Sequence, residues 1–315
     1  MSRQGEKAPA DTAAVVLTHR RPRLATRLVR SLLDEEGFTP DRIHLVIDRD
    51  GGLDDPALEA SLSVLRTTTN AGPAAGFRAG LAGAFAHPGT AWVYMCEDDV
   101  LLSGLPTPRV ADVRRAIDAR NREVGREPGA VVAYGRRFRP GRGGTTLPFV
   151  PERDTPRLQR VDVAAWGATL VSRQVYDSGV RPDDRWFFGY EDFDFFLTVQ
   201  RAGFEVLVDA QSALATADHA PDASASGAAR PGPVDEPWRS YYVARNFFEL
   251  ARRHGDWSWA AWHLLLTARR FQLAGDATAR RAIAHGLVDG LRGRRGRHPR
   301  WVRSVGEWDA GRSAG

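Results

Sequence analysis

The sequence predicts an open, mainly parallel α/β sheet flanked by helices, with a helical extension at its C-terminal end. Three observations lead there. Short apolar runs typical of buried strands alternate with stretches of helical periodicity over the first two thirds of the chain. These runs end in polar residues suited to a ligand at the carboxyl edge of a sheet: Thr18, Asp48, Asn70 and the triplet Glu97-Asp98-Asp99. From about residue 238 onward the strand signals stop, and three arginine-bearing helical segments follow.

Taken in order, residues 1–11 are polar and read as a disordered N-terminus. Ala13 to Thr18 forms a first buried strand ending at His19-Arg20-Arg21-Pro22. Pro22 suits a first helical turn, and Leu24, Leu28, Leu32 and Leu33 give an apolar stripe up to Gly37. Ile43 to Ile47 is a second strand, running into Asp48-Arg49-Asp50-Gly51-Gly52. Leu62 to Leu65 is a third, followed by Thr69-Asn70-Ala71-Gly72-Pro73 and a helix from about Ala74 to Phe85. Trp92 to Cys96 is the fourth strand, and a helix over Val110 to Arg122 and a strand over Ala130 to Tyr134 come after it. Residues 136–160, rich in Arg, Gly and Pro, read as a long flexible loop. An extended segment from Val161 to Ser172, a helix opening at Glu191 and a strand over Phe204 to Val208 complete a domain spanning 12–220. Residues 221–237 read as a linker or lid, and 238–315 as a helical region with a basic tail, its helices near 238–254, 257–274 and 277–292.

With 315 residues and 43% hydrophobic content, the chain has the composition of a soluble globular protein. Its net charge of +5 is uneven: residues 251–315 hold 13 Arg against 5 Asp/Glu, which leaves −3 for residues 1–250. The basic character therefore belongs to the tail, which suits an anionic membrane surface or a phosphorylated partner. No nucleic-acid module accompanies it, so no nucleic-acid partner is expected. The single cysteine, Cys96, excludes an internal disulfide and a cysteine zinc site. Met1 to Asp11 lacks the apolar core of a signal peptide, and Trp257 to Ala268 is too short to span a bilayer. A cytoplasmic protein is expected, with peripheral contact at the inner face of the membrane as an option for the tail.

Three carboxylates at the end of a core strand repel one another and lose solvation, so they call for a cation or a set of donors. A hard divalent ion bound to a diphosphate meets that need; a solvated turn is the other reading. Asn70 to Phe77 couples a turn to a helix N-terminus, whose free N–H groups favour an anion. Thr18 reads equally well as a helix cap, and Asp48 or Asp50 as a turn residue. In Glu191-Asp192-Phe193-Asp194, a helix beginning at this point puts Asp192 on one face with Phe195, Phe196 and Val199. An apolar setting raises a carboxylate's pKa towards that of a useful general base. Trp166-Gly167, Trp186 and Phe187 offer aromatic faces for a sugar, with core packing as the rival role. Arg245 reads as a diphosphate clamp or as an ion pair with Glu249.

The order strand-Thr-His-Arg-Arg-Pro, strand-Asp, Asn-x-Gly-x-Ala-x-Gly-Phe, strand-Glu-Asp-Asp, Trp-Gly, then Phe-x-Gly-Tyr-Glu-Asp-x-Asp resembles family 2 glycosyltransferases of the GT-A fold. It is most similar to their bacterial rhamnosyl- and galactofuranosyltransferase-like branch, over residues 12–250. The resemblance implies a Rossmann-like GT-A domain and a metal-dependent, inverting transfer of a hexosyl or deoxyhexosyl unit from a UDP- or dTDP-sugar to a hydroxyl. The acceptor could be a lipid-linked saccharide, a cell-wall polymer or a natural-product aglycone. Asp192 would be the general base, and Asp99 with His219 would hold Mn²⁺ or Mg²⁺. Thr18, Arg20, Asp48, Asn70, Gly72, Glu97, Asp98 and Arg245 would line the donor site. Trp166, Gly167, Trp186 and Glu191 would line the acceptor site. Glu97 stands where this family usually has Asp, and either Asp48 or Asp50 would contact the base.

Two other functions compete. A sugar-1-phosphate nucleotidyltransferase also pairs an α/β sheet with acidic metal ligands, but should carry a glycine-rich basic loop after its first strand, and Thr18 to Pro22 has no glycine. A non-catalytic sugar-nucleotide binder or membrane-associated protein has no need of two acidic clusters.

Overall fold

The computed structural model describes residues 7–99, 109–219 and 236–302; the side chains of 216–219 also lie outside the described set. The described residues divide into two compact units, a sheet unit (7–138, 146–184 and 191–219) and a helical unit (139–145, 185–190 and 236–302).

The sheet unit runs β1 (Thr12–Thr18), α1 (Pro22–Asp34), β2 (Ile43–Ile47), α2 (Pro56–Ala60), β3 (Ser63–Arg66), α3 (Pro73–Ala86), β4 (Trp92–Glu97), α4 (Val110–Val124) and β5 (Ala130–Val132). It continues with β6 (Gly135–Phe138), β7 (Thr146–Pro148), β8 (Leu158–Arg160), β9 (Val163–Ala164), β10 (Thr169–Ser172), α5 (Arg173–Asp177), α6 (Glu191–Arg201), β11 (Val206–Asp209) and α7 (Ala210–His219). Eight strands form one sheet in the order β3-β2-β1-β4-β10-β5-β11-β8. The first four are mutually parallel; β10 runs antiparallel between β4 and β5, and β8 antiparallel on the far edge. This is the Rossmann-like, mostly parallel arrangement expected of the GT-A class. The chain turns to opposite sides of β1 for β2 and β4, so a crevice opens between the carboxyl ends of β1 and β4, the usual ligand position in such sheets.

β1 is buried throughout, and its side chains alternate between two cores. Ala13, Val15 and Leu17 join Phe77 and Leu81 of α3 and Phe195 and Phe196 of α6. Ala14 and Val16 join Leu28, Val29 and Leu32 of α1 and Ile117 of α4. Burial on both faces is why the strand reads as an uninterrupted apolar run. α3 lies close against this sheet because Gly76 and Gly80 face it: a Cβ at either would overlap the side chain of Leu17 or Val15.

Residues 136–160 depart from the expected loop, since β6, β7 and β8 fall within them. β6 pairs with both β7 and β9 in a small antiparallel sheet, and β8 pairs with β11. The arginines that look like loop composition are spent on structure: Arg136 donates to the Thr146 hydroxyl at 2.7 Å, and Arg160 pairs with Glu205. The short helices α2 and α5, and helix α7 after the last strand, carry too little periodicity to be read from the sequence. The expected linker or lid at 221–237 lies almost wholly outside the described residues.

The helical unit is built on α8 (Pro237–His254), α9 (Trp257–Leu273) and α10 (Ala277–Leu291), near the expected bounds. α8 and α10 pack closely through Gly286 and Gly290, where a Cβ would overlap the carbonyls of Tyr241 and Arg245. The Tyr241 hydroxyl donates to Asp289 at 2.8 Å, and Trp301 stacks on the Tyr241 ring.

Candidate functional site

The carboxyl ends of β1 and β4 are tied together by side chains. Leu17 is opposite Glu97 in the register, so the next residues, Thr18 and Asp98, meet: the threonine hydroxyl donates to Asp98 Oδ2 at 2.7 Å. Arg21, in the turn into α1, donates through Nη1 to Asp98 Oδ1 at 2.7 Å and to Asp99 Oδ2 at 2.6 Å. Asp98 is 4% exposed, with both oxygens engaged. Burial pushes its carboxyl up, while Arg21 and the Thr18 hydroxyl hold it down. Burial would lower Arg21, but the attraction of Asp98 and Asp99 outweighs it and keeps the guanidinium charged. Asp99 is 39% exposed and is the outward-facing member of the pair.

At the end of β2, Asp48 organises the loop that leads to α3. It is buried and accepts from the Thr67 hydroxyl at 2.9 Å, Ala71 N–H at 3.0 Å and Gly72 N–H at 3.2 Å. The N–H from Gly72 comes with a φ of 86°, which only glycine adopts without strain, so Gly72 is required by the turn. His19 bridges the two loops, with Nδ1 2.6 Å from the Asp48 carbonyl and Nε2 3.3 Å from Asn70 Nδ2. Arg20 pairs with Asp50 at 2.5 Å and, like Arg49, is held at positive φ. Such backbone costs about 1–3 kcal/mol per residue and is most often retained beside ligand sites. Asp48 is therefore committed to the loop, while Asp50 faces outward on Arg20.

The second acidic cluster opens α6. Asp192 accepts Phe193 N–H at 2.8 Å, and its helix neighbours Phe195, Phe196 and Val199 are buried, as the spacing requires. Burial lifts the Asp192 carboxyl to about 7, against the opposing pull of the backbone bonds at Phe193 and Asp192 and of Arg136. Glu97 rises further, to about 8, through burial and the negative charges of Asp99, Asp98 and Asp192, with Arg21 opposing. The two clusters thus act on one another within the sheet unit. Arg136 on β6 is held by Thr146 through Nε at 2.7 Å and Nη2 at 3.3 Å, and Asp192 offsets the lowering of its pKa by burial.

Several expected site residues have other surroundings. Trp166 is a core residue rather than an open sugar platform: its ring lies 5.2 Å from both Phe77 and Phe195. Gly167 is half-buried, next to Ala168, another residue at positive φ. Glu191 is buried at the first turn of α6. Trp186 and Arg245 belong to the helical unit. Trp186 is buried, and Phe187 beside it packs on Tyr242 at 5.0 Å. Arg245 is buried over the Tyr241 and Tyr242 rings and donates to Asn246 Oδ1 and to the Gly296 carbonyl, each at 2.7 Å. Glu249, the anticipated i+4 partner of Arg245, pairs instead with Arg252 and Arg295. His219 is the last residue of α7, and its side chain lies outside the described residues. Arg21 and Arg136 join the site without having been anticipated. Arg21 was visible only as part of a strand-end motif, and Arg136 was hidden in an apparent loop.

No group of three His, Cys, Asp or Glu that could cage a metal occurs among the described residues. Hard ions bound through a diphosphate need only one or two protein carboxylates, however, and Asp99 offers one at the mouth of the crevice. The local charge suits a cation: Asp99, Asp98 and Asp192 all push the Glu97 carboxyl up, with Arg21 opposing. Arg21, bridging Asp98 and Asp99, already stands where positive charge is wanted.

No family model matches the chain, and no curated protein matches it. Among solved structures it is similar to GalNAc-T7 determined with UDP, GalNAc and Mn²⁺, at 12% sequence identity and a TM-score of 0.43. The match covers 63% of this chain and 41% of that one, so the chain spans less than half the length of that structure. A likeness this distant carries no weight in assigning an activity.

Proposed function

We propose that the chain is a cytoplasmic, metal-dependent, inverting glycosyltransferase that moves a sugar from a UDP- or dTDP-sugar to an acceptor hydroxyl. The observation that carries this reading is Asp192: a carboxylate at a helix N-terminus, lifted to about 7 by burial, whose charge acts on Glu97 at the end of β4. A base with that proton affinity is half ionised near neutral pH and matched to deprotonating an alcohol as it attacks.

In this reading Asp192 takes the acceptor's hydroxyl proton while the acceptor oxygen bonds to the anomeric carbon from the face opposite the diphosphate. The bond from that carbon to the diphosphate oxygen breaks, and the electron pair leaves with the nucleoside diphosphate. Asp99, with His219 as second ligand, would hold Mn²⁺ or Mg²⁺, which when bound supplies positive charge to the departing diphosphate. Arg21 and the Thr18 hydroxyl hold Asp98 in place, so that Asp99 is presented outward from the strand end. Asp48 takes up the Ala71 and Gly72 N–H groups and so holds the Asn70–Gly72 loop, and the first turn of α3 that follows would face the phosphate. Arg136 sets the charge around Asp192 and limits how far its proton affinity rises.

The test is a thermal-shift screen of UDP- and dTDP-sugars with and without Mn²⁺, followed by an assay for release of nucleoside diphosphate on adding a hydroxyl acceptor. Stabilisation by one donor that depends on Mn²⁺, with acceptor-dependent release, is expected. Stabilisation by nucleoside triphosphate and sugar phosphate, with pyrophosphate release, would place the chain among nucleotidyltransferases instead.

A further inference from the structure

α9 carries apolar side chains on two sides. Its fully buried residues are the polar His263 and Thr267, with Trp259, Trp262 and Leu266 half-buried beside them, whereas Trp257, Leu264, Leu265, Phe271 and Leu273 are exposed, Trp257 by 89% and Leu265 by 58%. A helix lying on a protein in water turns its large apolar residues inward, so the exposed set calls for an account. The inward polar side is satisfied within the helical unit. His263 Nε2 lies 3.2 Å from the Ala244 carbonyl and 3.3 Å from the Thr267 hydroxyl, and its ring stacks on Phe247 at 4.1 Å. Burial pushes the His263 pKa down to about 3, so the imidazole is neutral, as a packed core residue should be. The inward face is thus held by His263 together with half-buried Trp259, Trp262 and Leu266, and a second apolar face is left outward.

The outward residues form one stripe. Trp257, Ala261, Leu264, Leu265, Ala268 and Phe271 follow the i, i+4, i+7 and i+8 spacing of a single face. Positive charge surrounds it: residues 257–302 carry nine arginines against two acids. Arg269 beside the stripe, and Arg280, Arg281, Arg292 and Arg297 on and after α10, are exposed and pair with no acid among the described residues. Val288 and Leu291 on α10 add further exposed apolar surface. A protein partner would need acids placed to match these arginines; a leaflet of anionic lipid supplies negative charge at every point and acyl chains beneath it. No described helix is long and apolar enough to cross a membrane, so the element lies on the surface and does not span it.

We propose that α9 is an interfacial anchor that seats its Trp257–Phe271 stripe in the headgroup region of an anionic bilayer, with the neighbouring arginines on lipid phosphates. The basic tail supplies the attraction, and the stripe supplies the insertion. This proposal is independent of the glycosyl-transfer reading, and its test does not involve transfer.

The full chain is sedimented with phosphatidylcholine vesicles containing or lacking phosphatidylglycerol. Binding is expected only with phosphatidylglycerol, and Leu264→Glu with Leu265→Glu should reduce it about tenfold or more, since two exposed leucines lose their burial in the bilayer. Arg269→Gln with Arg281→Gln should weaken it less and flatten its salt dependence. Because the one native cysteine, Cys96, is buried, a Trp257→Cys variant takes an environment-sensitive dye at a single exposed position. The dye should shift to the blue on phosphatidylglycerol vesicles. Vesicle binding that survives the Leu264/Leu265 double variant, or a dye that stays in water when the protein is bound, would overturn the proposal. So would absence of vesicle binding together with a dimer that the double variant disperses, which would make the stripe a contact between copies.

Discussion

Asp98 at the end of β4 and Asp192 at the start of α6 are carboxylates of the same sheet unit, Asp98 buried and Asp192 half-buried, and burial pushes both upward. They differ in what answers that push. Asp98 has a guanidinium from Arg21 and a hydroxyl from Thr18, both within 2.7 Å, and is thereby fixed as a structural anion. Asp192 has a backbone N–H and the more diffuse charge of Arg136, and its proton affinity settles at about 7. The difference teaches that burial alone does not mark a functional acid; burial without a dedicated counter-ion does.

The largest effect that separates the two sites is expected from Asp192→Asn. Transfer should fall by about a hundredfold to ten-thousandfold, the usual worth of a general base, while donor affinity in a binding assay is unchanged. A variant that keeps its rate would remove the comparison altogether. Arg21→Met acts on the other site: it strands the buried Asp98 and should lower unfolding stability by about 3 kcal/mol in urea melts. Adding Asp98→Asn should restore part of that loss, and simple additivity of the two changes would mean that the clamp is not a coupled pair. Asp99→Asn is expected to weaken Mn²⁺-dependent nucleotide binding about tenfold by calorimetry, with little effect when Mn²⁺ is absent.

The smallest expected effect is on melting, and its sign follows from linkage. The Asp192 pKa is raised in the folded state above the ordinary aspartate value near 4, so the folded protein holds this proton more tightly than the unfolded chain. Its contribution to stability is therefore present at low pH and is lost as pH rises from about 4 through about 7. Without added metal, Asp192→Asn should melt a few degrees higher than the parent at pH 8 and close to it at pH 5. Equal differences at the two pH values would show that Asp192 does not titrate in this range.

Much of the sheet unit is legible in the sequence because its central strands are buried on both faces, and Ala13–Leu17, Ile43–Ile47 and Trp92–Cys96 leave apolar runs without ambiguity. β6 to β8 are not, since they are short and part-exposed, and arginine, threonine and glycine serve there as well as apolar side chains. The acids of the site were also legible, because carboxylates stand out at a strand end or on an apolar helix face. Their counter-ions were not. Arg21 reaches Asp98 across 77 residues, and only the register of β1 on β4 brings them together. Trp166 misled for a related reason: an aromatic before a glycine suits a sugar platform and a core equally well, and the packing of Phe77, Phe195 and Phe196 decides for the core.

The most direct test of the account is the ionisation of Asp192 itself, followed through its side-chain carboxyl carbon by NMR over pH 3–9 in metal-free protein, with Asp192→Asn used to assign the signal. A midpoint near 7 is the predicted result. A midpoint near 4, the ordinary value for aspartate, would contradict it: Asp192 would then be as well compensated as any surface acid and would be no poised base.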